Sequence, residues 1–445
     1  MKQKGDALMP MLQGIPDFQC DHEELTRAFQ LALGALTINT RHLKQGLLTA
    51  PAPCVMAGLE YTTPWTRDAA INVAQAVALL DPEVAKNTLL CVLEEEDGRV
   101  VIGDQYWDRI IWSLGAERLW MITKDADFLR LAYEAIRNTM EICIREELDP
   151  ADGLFRGPAV YGDGVAAYPE KYRNPSGASG ILRWSEEHPE ERVPTGFGIP
   201  MKALSTNCVY TRAFRILADM ANALGLDGSE WTERAEKLKE AVNRVFWNPA
   251  AGTYDYLAYE CGAQEGLGLS FAILFEIADK EQTKSVIEHV HLTGHGIPCV
   301  WPSFAPYDAM GGYGRHSGTV WPHVQGYWAK AMLKAGRGDL FARELFALAH
   351  HAVRDQQYAE IYHPDTGEIY GGLQEGGAEI LTWHSCSWQT WSATALLAMV
   401  LDGIFGITED GQAGTAYLPE GLKRASLRGL RVQGRRIEIE ARRKG

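Results

Sequence analysis

The sequence predicts an all-α fold, an (α/α)6 toroid with long loops on one face and a small C-terminal β-hairpin. Apolar residues recur with helical periodicity in twelve segments, which is enough for six helical hairpins. Short polar turns join several segments in pairs, which predicts antiparallel neighbours. The other connections are long and rich in Gly, Pro and aromatic residues, a composition typical of functional loops. Helices that alternate between short and long connections indicate a closed ring with one elaborated face.

The elements follow one another from the N-terminal side. Asp-Pro, Asp-Ala and Asp-Gly turns separate helix pairs at 80–82, 124–126 and 226–228. In chain order the predicted helices are 22–38, 67–80, 82–95, 105–124, 126–147, 202–225, 229–247, 264–276, 280–292, 318–336, 338–355 and 387–404. The long connections are 148–201, 293–317 and 356–386.

The chain changes character after Gly406. Residues 426–432 and 436–441 alternate apolar and polar side chains, which predicts a small β-hairpin. We therefore predict an N-terminal extension at 1–21, a helical barrel at 22–408 and a β-rich tail at 409–445.

The composition argues against several classes of protein. Of 445 residues, 46% are hydrophobic, and the formal charge is −15 with a pI near 5.3. This acidic balance disfavours nucleic acid or anionic membranes as partners. We find no apolar segment typical of a secretion signal or a membrane span, and the eight cysteines form no CxxC pair. We expect a cytoplasmic protein with reduced thiols, no metal and no cofactor.

The segment from Ala359 to Val400 is the most informative about function. Glu360 opens a turn-rich stretch, and a polar, aromatic run then leads into an apolar helix. That run contains Trp383, His384, Ser385, Trp388, Gln389 and Trp391. Tryptophan rings stack on the apolar face of a sugar, and His and Gln bond its hydroxyls, so the run favours a carbohydrate pocket. A carboxylate beside such a pocket is a candidate general base.

Further candidates precede other helices. The residue types again combine aromatic faces with charged or polar groups that can grip hydroxyls. Asp68 also suits the positive end of a helix, and Asp108 could instead form a buried ion pair with Arg109. These candidates are Trp65, Arg67, Asp68, Trp107, Asp108, His316, Trp321 and His323.

Asp163 lies in the longest connection, between two glycines and near Tyr161 and Tyr168. Glycines let a backbone approach a ligand closely, so Asp163 is a candidate catalytic acid. The alternative is an ordinary Asp-Gly turn.

Two of these blocks resemble motifs of a known enzyme class. His316 to His323 reads HSGTVWPH, similar to the HxGTVWPW block of six-hairpin glycosidases, and Gln389 to Ser392 is similar to their QAWS block. Weaker matches are Asp108 to Trp112, for D-x-x-L-W, and Ser205 to Tyr210, for EINALWY. Over residues 60–405 the chain resembles glycoside hydrolase family 63 and the amylo-1,6-glucosidase domains of glycogen debranching enzymes.

The resemblance implies an exo-acting, inverting glycosidase that removes a terminal α-linked sugar, expected to be glucose, from a short glycoside. Asp163 takes the position of the general acid, without the Trp-Met that precedes it in the family. Glu360 takes the position of the general base, and Glu375 and Glu379 are its rivals. An inverting pair stands about 6.5–9.5 Å apart to admit water. The expected substrate-binding residues are Trp65, Arg67, Asp68, Trp107, Asp108, His316, Trp321, His323, Trp388 and Gln389.

Three alternatives stay open at this point. A glycoside phosphorylase would need a phosphate cradle, which His384-Ser385 or Arg315-His316 could supply. A sugar epimerase or isomerase on the same fold would use histidines as acid and base, for which His316, His323 and His384 are the candidates. A non-catalytic carbohydrate-binding protein would use the pocket without turnover.

Overall fold

A computed structural model describes residues 15–103, 109–159, 166–172, 184, 188–189, 199–376 and 379–443. Within these ranges, twelve helices have seven or more residues. They are α1 (Glu23–Asn39), α2 (Thr66–Asn72), α3 (Pro82–Leu90), α4 (Trp112–Thr123), α5 (Ala126–Glu146), α6 (Leu204–Ala223), α7 (Ser229–Phe246), α8 (Gly266–Leu274), α9 (Lys280–His289), α10 (Pro322–Lys334), α11 (Gly338–Asp355) and α12 (Thr390–Ala398). Two π-helical turns extend this set, Val73–Val77 after α2 and Met399–Ile404 after α12.

The even-numbered helices form a closed cycle of contacts. In order, α2 packs on α4, α4 on α6, α6 on α8, α8 on α10, α10 on α12, and α12 again on α2. Odd-numbered helices lie outside them: α3 packs on α4, α7 on α6, and α11 on both α10 and α1. The structure is thus rich in helices and compatible with the predicted helical toroid.

Burial differs between the two sets of helices in the way their sequences require. Every residue of α2 and of α12 is buried, and α8 has a nearly uniform apolar surface. By contrast, α5 and α7 carry apolar residues along one face and charged residues on the other. A helix that is apolar all round belongs inside a protein, whereas an amphipathic helix covers its outside.

Two of the three predicted short turns act as helix caps. The side chain of Asp81 accepts a hydrogen bond from the Val84 N–H, and Pro82 is the first residue of α3. Asp125 accepts from two backbone N–H groups at the start of α5. Both carboxylates satisfy donors that a helix N-terminus leaves free.

Two predicted helices depart from the α-helical conformation over part of their described residues. The segment predicted as a helix over 82–95 leaves the helical conformation after Leu90 and forms a hairpin of β4 (Leu93–Glu96) and β5 (Arg99–Ile102). The cause is Asp97-Gly98, where φ is 50° and 75°, because a two-residue turn with both φ positive matches the twist of a hairpin. The helix predicted over 105–124 has its α-helical part at Trp112–Thr123, after a 3-10 turn at Arg109–Ile111.

A three-stranded antiparallel sheet joins the two ends of the described chain. β14 (Arg424–Val432) pairs with β15 (Arg435–Arg442) on one side and with β1 (Asp17–Cys20) on the other. Phe18, Leu427 and Leu430 of this sheet are buried in the main hydrophobic core. The N-terminal strand therefore packs together with the segment in which a hairpin is predicted.

The remaining strands form short antiparallel pairs around the ring. They are β2 (Thr40–Leu43) with β3 (Ala52–Val55), β6 (Leu148–Asp149) with β7 (Leu154–Phe155), β8 (Trp247–Asn248) with β9 (Thr253–Tyr254), β10 (Gln264–Glu265) with β11 (Val300–Trp301), and β12 (Leu373–Gly376) with β13 (Glu379–Thr382). Among the described helices, none combines the length and apolar character that crossing a bilayer requires.

Candidate active site

The candidate residues meet at the N-terminal ends of three even-numbered helices. Arg67 and Asp68 lie in the first turn of α2, His323 lies in the first turn of α10, and Gln389 immediately precedes α12. Glu360 lies in the connection between α11 and α12. Since a helix N-terminus carries partial positive charge, this end of the ring favours carboxylates.

Glu360 is held on both of its carboxylate oxygens. Oε2 accepts from Nη2 of Arg315 at 2.6 Å and from the Cys386 N–H at 3.2 Å. Oε1 accepts from the hydroxyl of Tyr61 at 3.2 Å. The residue is 2% exposed. Hydrogen bonds to charged groups of this kind are short and directional, so the orientation of the carboxylate is fixed.

Arg315 is fixed as firmly as the glutamate it contacts. Its Nη1 donates to the carbonyls of Gly371 and His384 at 3.0 and 2.9 Å. The loop approaches so closely that a Cβ on Gly372, where φ is +80°, would lie 2.4 Å from the Cα of Arg315. Glycine is therefore required at this position for the arginine to reach the glutamate.

Two protonated side chains flank Glu360. Burial, followed by the negative charges of Glu360 and Asp68, raises the pKa of Tyr61 far above its usual value. Burial, followed by Glu360, raises the pKa of the Cys386 thiol to about 12. Tyr61 is thus a hydrogen-bond donor at neutral pH, and Cys386 is not a thiolate nucleophile.

Aromatic rings form a layer beside this carboxylate. His316 stacks on Trp321 at 4.4 Å between ring centroids, and His323 stacks on Trp391 at 4.3 Å. The two tryptophans meet edge to face at 5.7 Å, and the guanidinium of Arg67 lies 5.9 Å from the Trp391 ring. Burial, followed by Arg67 and His316, holds the pKa of His323 well below its usual value, so this imidazole is neutral.

Asp68 faces the start of α12. Nε2 of Gln389 lies 3.4 Å from Oδ1 of Asp68, and both side chains are buried. The strand-to-helix segment before α2 fits tightly here, since a Cβ on Gly58 would lie 2.4 Å from Oε1 of Gln389 and 2.9 Å from Sγ of Cys386. The beginnings of α2 and α12 are thereby locked together.

Two of the predicted tryptophans have unusual backbones. Trp65 has φ 53° and ψ 139°, and Trp388 has φ 50°, whereas a bulky residue rarely adopts a positive φ. Trp65 immediately precedes α2, Trp388 lies two residues before α12, and both are half-buried. Strained backbone of this kind concentrates at functional sites, where the surroundings hold it in place.

Some of the predicted residues cannot be placed. Trp107, Asp108 and Asp163 lie outside the described residues. Of the two rivals of Glu360, Glu379 is exposed on β13 and Glu375 lies on β12 opposite Ile380. The assignment of acid and base therefore stays a prediction.

Sequence reasoning missed two side chains that contact Glu360. Tyr61 lies shortly before the candidates Trp65, Arg67 and Asp68, and Arg315 immediately precedes His316, but neither was linked to the glutamate. They lie 299 and 45 residues from it in the chain. A buried carboxylate needs donors, and that requirement is the signal that could have prompted a search for them. Within the described ranges, no cluster of three or more His, Cys, Asp or Glu side chains is arranged to hold a metal ion.

Comparison with known proteins identifies relatives of the chain. A family model described as the mannosylglycerate hydrolase MGH1-like glycoside hydrolase domain matches residues 61–392. A mannosylglycerate hydrolase from Rubrobacter radiotolerans is 26% identical over 211 residues, which is 44% of this chain and 43% of that protein. The aligned part thus spans less than half the length of this curated relative.

Solved structures share the fold. The GH63 mannosylglycerate hydrolase from Thermus thermophilus, in complex with Tris and D-glycerate, has a TM-score of 0.58 and 16% identity, covering 84% of this chain and 100% of that chain. The same enzyme in complex with glucose has a TM-score of 0.59 and 18% identity at the same coverage. The TM-scores show a similar fold, and at identities this low the comparison shows the fold alone.

Proposed function

The chain belongs to the mannosylglycerate hydrolase MGH1-like glycoside hydrolase family, and from that premise we propose that it removes a terminal α-linked sugar from a short glycoside with inversion at the anomeric carbon. One observation carries the proposal: the buried carboxylate of Glu360 lies at the end of the ring where Asp68 and the layer of aromatic rings meet. Such a combination of oriented carboxylate, aromatic faces and hydroxyl-binding groups suits the hydrolysis of a glycoside.

Glu360 is the proposed general base. Arg315 and the Cys386 N–H engage Oε2, so Oε1 is the atom that takes the proton of the attacking water. Tyr61 donates to the same Oε1 and stays protonated while the water attacks. Removing this base is expected to lower the rate by about 10²–10⁴-fold.

Asp163 is the proposed general acid, by resemblance to the family's motif. It gives its proton to the leaving oxygen as the glycosidic C–O bond breaks. The water oxygen bonds to the anomeric carbon from the opposite face, and Glu360 receives the water proton. The products are a sugar of inverted configuration at its anomeric carbon and a free alcohol.

Two observations support hydrolysis over the alternative reactions. Arg315, a candidate phosphate ligand, has its guanidinium directed to Glu360 and to two backbone carbonyls. His323, a candidate acid of an epimerase, has a lowered pKa and lacks the proton that an acid must give. These two observations argue against a phosphate cradle at Arg315 and against His323 as the acid of an epimerase.

The proposed sugar is glucose, with mannose as the second candidate. The motif resemblance favours glucose, whereas the family and the curated relative are described by mannosylglycerate. The two sugars differ only in the configuration at C2, and the related structures carry glucose in one complex and D-glycerate in another. We therefore propose an α-glucoside or α-mannoside of a small acid such as glycerate.

The finer structural assignments are part of the same proposal. We infer that the cycle of contacts is a six-hairpin (α/α)6 toroid spanning 22–408, followed by a β-rich tail at 409–445, and that the enzyme acts in the cytoplasm. The proposed sugar contacts are Trp65, Arg67, Asp68, Trp107, Asp108, His316, Trp321, His323, Trp388 and Gln389.

Proton NMR of the first sugar released tests the proposal. Glucosylglycerate, mannosylglycerate and an aryl α-glucoside are each incubated with the enzyme, with and without inorganic phosphate. We expect a β-configured monosaccharide to appear before mutarotation, independently of phosphate. A first-formed α-anomer would overturn inversion, release of a sugar phosphate would indicate a phosphorylase, and inactivity on every α-glycoside would refute the proposal.

A further inference from the structure

A second cavity lies at the opposite end of the helical ring from Glu360. Its volume is about 650 Å³, and all six even-numbered helices or the turns that extend them line it. Gln75 belongs to the π-helical turn after α2, and Ala398 and Lys334 are the last residues of α12 and α10. Residues of the candidate active site precede or begin these same helices. The cavity is therefore separate from the site that contains Glu360.

Basic side chains outnumber acidic ones around this cavity. Its lining contains Arg118, Arg212, Arg215, Lys239, Lys330 and Lys334 against Glu117, Glu236, Glu276 and Glu409. This local excess of two positive charges contrasts with a formal charge of −15 for the whole chain. Local charge of one sign in a concave site attracts ligands of the other sign.

Lys239 is the basic group with no ion pair of its own in the described part of the chain. Arg212 pairs with Glu117 at 2.5 Å, and Lys334 pairs with Glu276 at 2.9 Å. Asp402, which lies behind the lining, pairs with Arg118 and Lys330 and offsets one of the two excess charges. The charge that remains for a ligand is thus centred on Lys239, which is half-buried at the cavity wall.

Two buried polar atoms of the lining lack hydrogen-bond partners among the described residues. Nε2 of Gln75 and the hydroxyl of Tyr327 are unpaired, although the two residues are only 5% and 7% exposed. Gly326 keeps space beside them, because a Cβ there would lie 2.8 Å from that of Ala395 and 3.3 Å from Nε2 of Gln75. An unsatisfied buried donor is costly, so the two groups indicate a ligand that brings oxygen atoms.

We propose that this cavity binds a small phosphate monoester of a sugar or polyol. The phosphate lies against Lys239 and the neighbouring arginines, since guanidinium and ammonium groups bind phosphate oxygens. A hydroxyl of the ligand accepts a hydrogen bond from Nε2 of Gln75. Another hydroxyl donates to the Tyr327 hydroxyl or accepts from it. Inorganic phosphate alone would leave most of a 650 Å³ cavity unfilled, which is the reason for an organic ester.

Calorimetric titration with glucose 6-phosphate, glucose and inorganic phosphate at one ionic strength tests this proposal. We expect saturable binding of the ester, weaker binding of phosphate and none of glucose at this site. Lys239→Gln removes the unpaired charge and is expected to weaken ester binding roughly fivefold, as for a partly screened ionic contact. Tyr327→Phe is expected to weaken it further without loss of fold, because it removes only the unpaired hydroxyl.

Two control variants separate this cavity from other sites. Lys237→Gln removes an exposed charge from the same helix, outside the lining, and is expected to leave the affinity unchanged. Asp68→Asn alters the candidate active site and is likewise expected to leave ester binding intact. The proposal is overturned if the ester does not bind, if both cavity variants bind it as the wild type does, or if only Asp68→Asn abolishes its binding.

Discussion

At the scale of single residues, the contacts of Glu360 decide its chemistry. Nη2 of Arg315 lies 2.6 Å from Oε2, which orients the carboxylate, and Tyr61 marks Oε1 as the oxygen nearest to a hydroxyl donor. A glutamine at position 360 would keep the shape of the side chain but could not accept a proton from water. The catalytic role and a merely structural role of this glutamate can therefore be separated by substitution.

We expect Glu360→Gln to lower kcat by about 10²–10⁴-fold, because it removes the proposed general base. Far-UV circular dichroism should show a helical content equal to that of the wild type. Glu379→Gln, an exposed change of the same kind on β13, should retain nearly full activity. Near-normal turnover of Glu360→Gln, together with loss of activity in Glu375→Gln or Glu379→Gln, would move the base to the hairpin of β12 and β13.

The sequence revealed the types of residue in this site more readily than their pairing. Trp321 and Trp391 were recognisable because polar and aromatic residues stand where apolar helices begin, and Glu360 because it opens the turn-rich stretch before one of them. The contact between Tyr61 and Glu360 joins residues 299 positions apart and depends on how α2 and α12 close the ring. Local periodicity carries no information about such a pairing, so Arg315 and Tyr61 became visible only in the structure.

At the scale of the elements, two of the predicted helices match the observed boundaries almost residue for residue. The helix predicted over 338–355 is α11, with the same boundaries, and the one predicted over 126–147 is α5 within one residue. A departure is the hairpin of β4 and β5, whose first strand begins within the helix predicted over 82–95. Glutamate favours helices intrinsically, but the Asp97-Gly98 turn and pairing with Arg99–Ile102 outweighed that preference.

Glu265 links the starts of α6 and α8 and makes the contact between them sensitive to pH. It precedes α8, is fully buried, and accepts a hydrogen bond from the Ser205 N–H in the first turn of α6 at 2.9 Å. Burial raises its pKa to about 8 from the usual 4.5. Between these two values the folded state retains a proton that the unfolded state has lost, so the free energy of unfolding falls as the pH rises.

We expect Glu265→Gln to flatten this dependence, because the amide still accepts from Ser205 but does not titrate. Between pH 5.5 and 7.5 the free energy of unfolding should fall by up to about 3 kcal/mol more in the wild type than in the variant. The slope is about 1.4 kcal/mol for each pH unit. Urea unfolding at the two pH values measures the difference. Glu281→Gln, an exposed change on α9, should keep the wild-type slope, and an equally steep slope in Glu265→Gln would contradict the assignment.

At the scale of the whole molecule, closure of the ring gives the two ends of the even-numbered helices different surroundings. Their N-terminal ends gather Asp68, His323 and Gln389 beside Glu360, whereas the opposite end of the ring contains a network of ion pairs. The periodic pattern predicted where most of the described helices lie, but no property of a single helix specifies that α12 packs on α2. That contact requires the buried faces of both helices to fit together.

The ion pairs of Asp402 test how much this closure depends on charge. Asp402 lies in the π-helical turn after α12, and its side chain is 8% exposed. It contacts Arg118 of α4 at 2.8 Å and Lys330 of α10 at 3.3 Å, so it links three helices across the carboxyl end of the ring. Asparagine would preserve its size and remove the charge that both cations face.

We expect Asp402→Asn to lower the free energy of unfolding by about 3 kcal/mol, because breaking a buried pair leaves a cation partly uncompensated. Glu409 continues to pair with Arg118 at 2.7 Å, so the variant should still be folded in the absence of urea. Glu230→Gln breaks an exposed pair with Arg234 and should cost less than about 0.5 kcal/mol. Urea unfolding followed by circular dichroism compares the three proteins. If Asp402→Asn were as stable as Glu230→Gln, apolar packing of the inner helices alone would hold the ring closed.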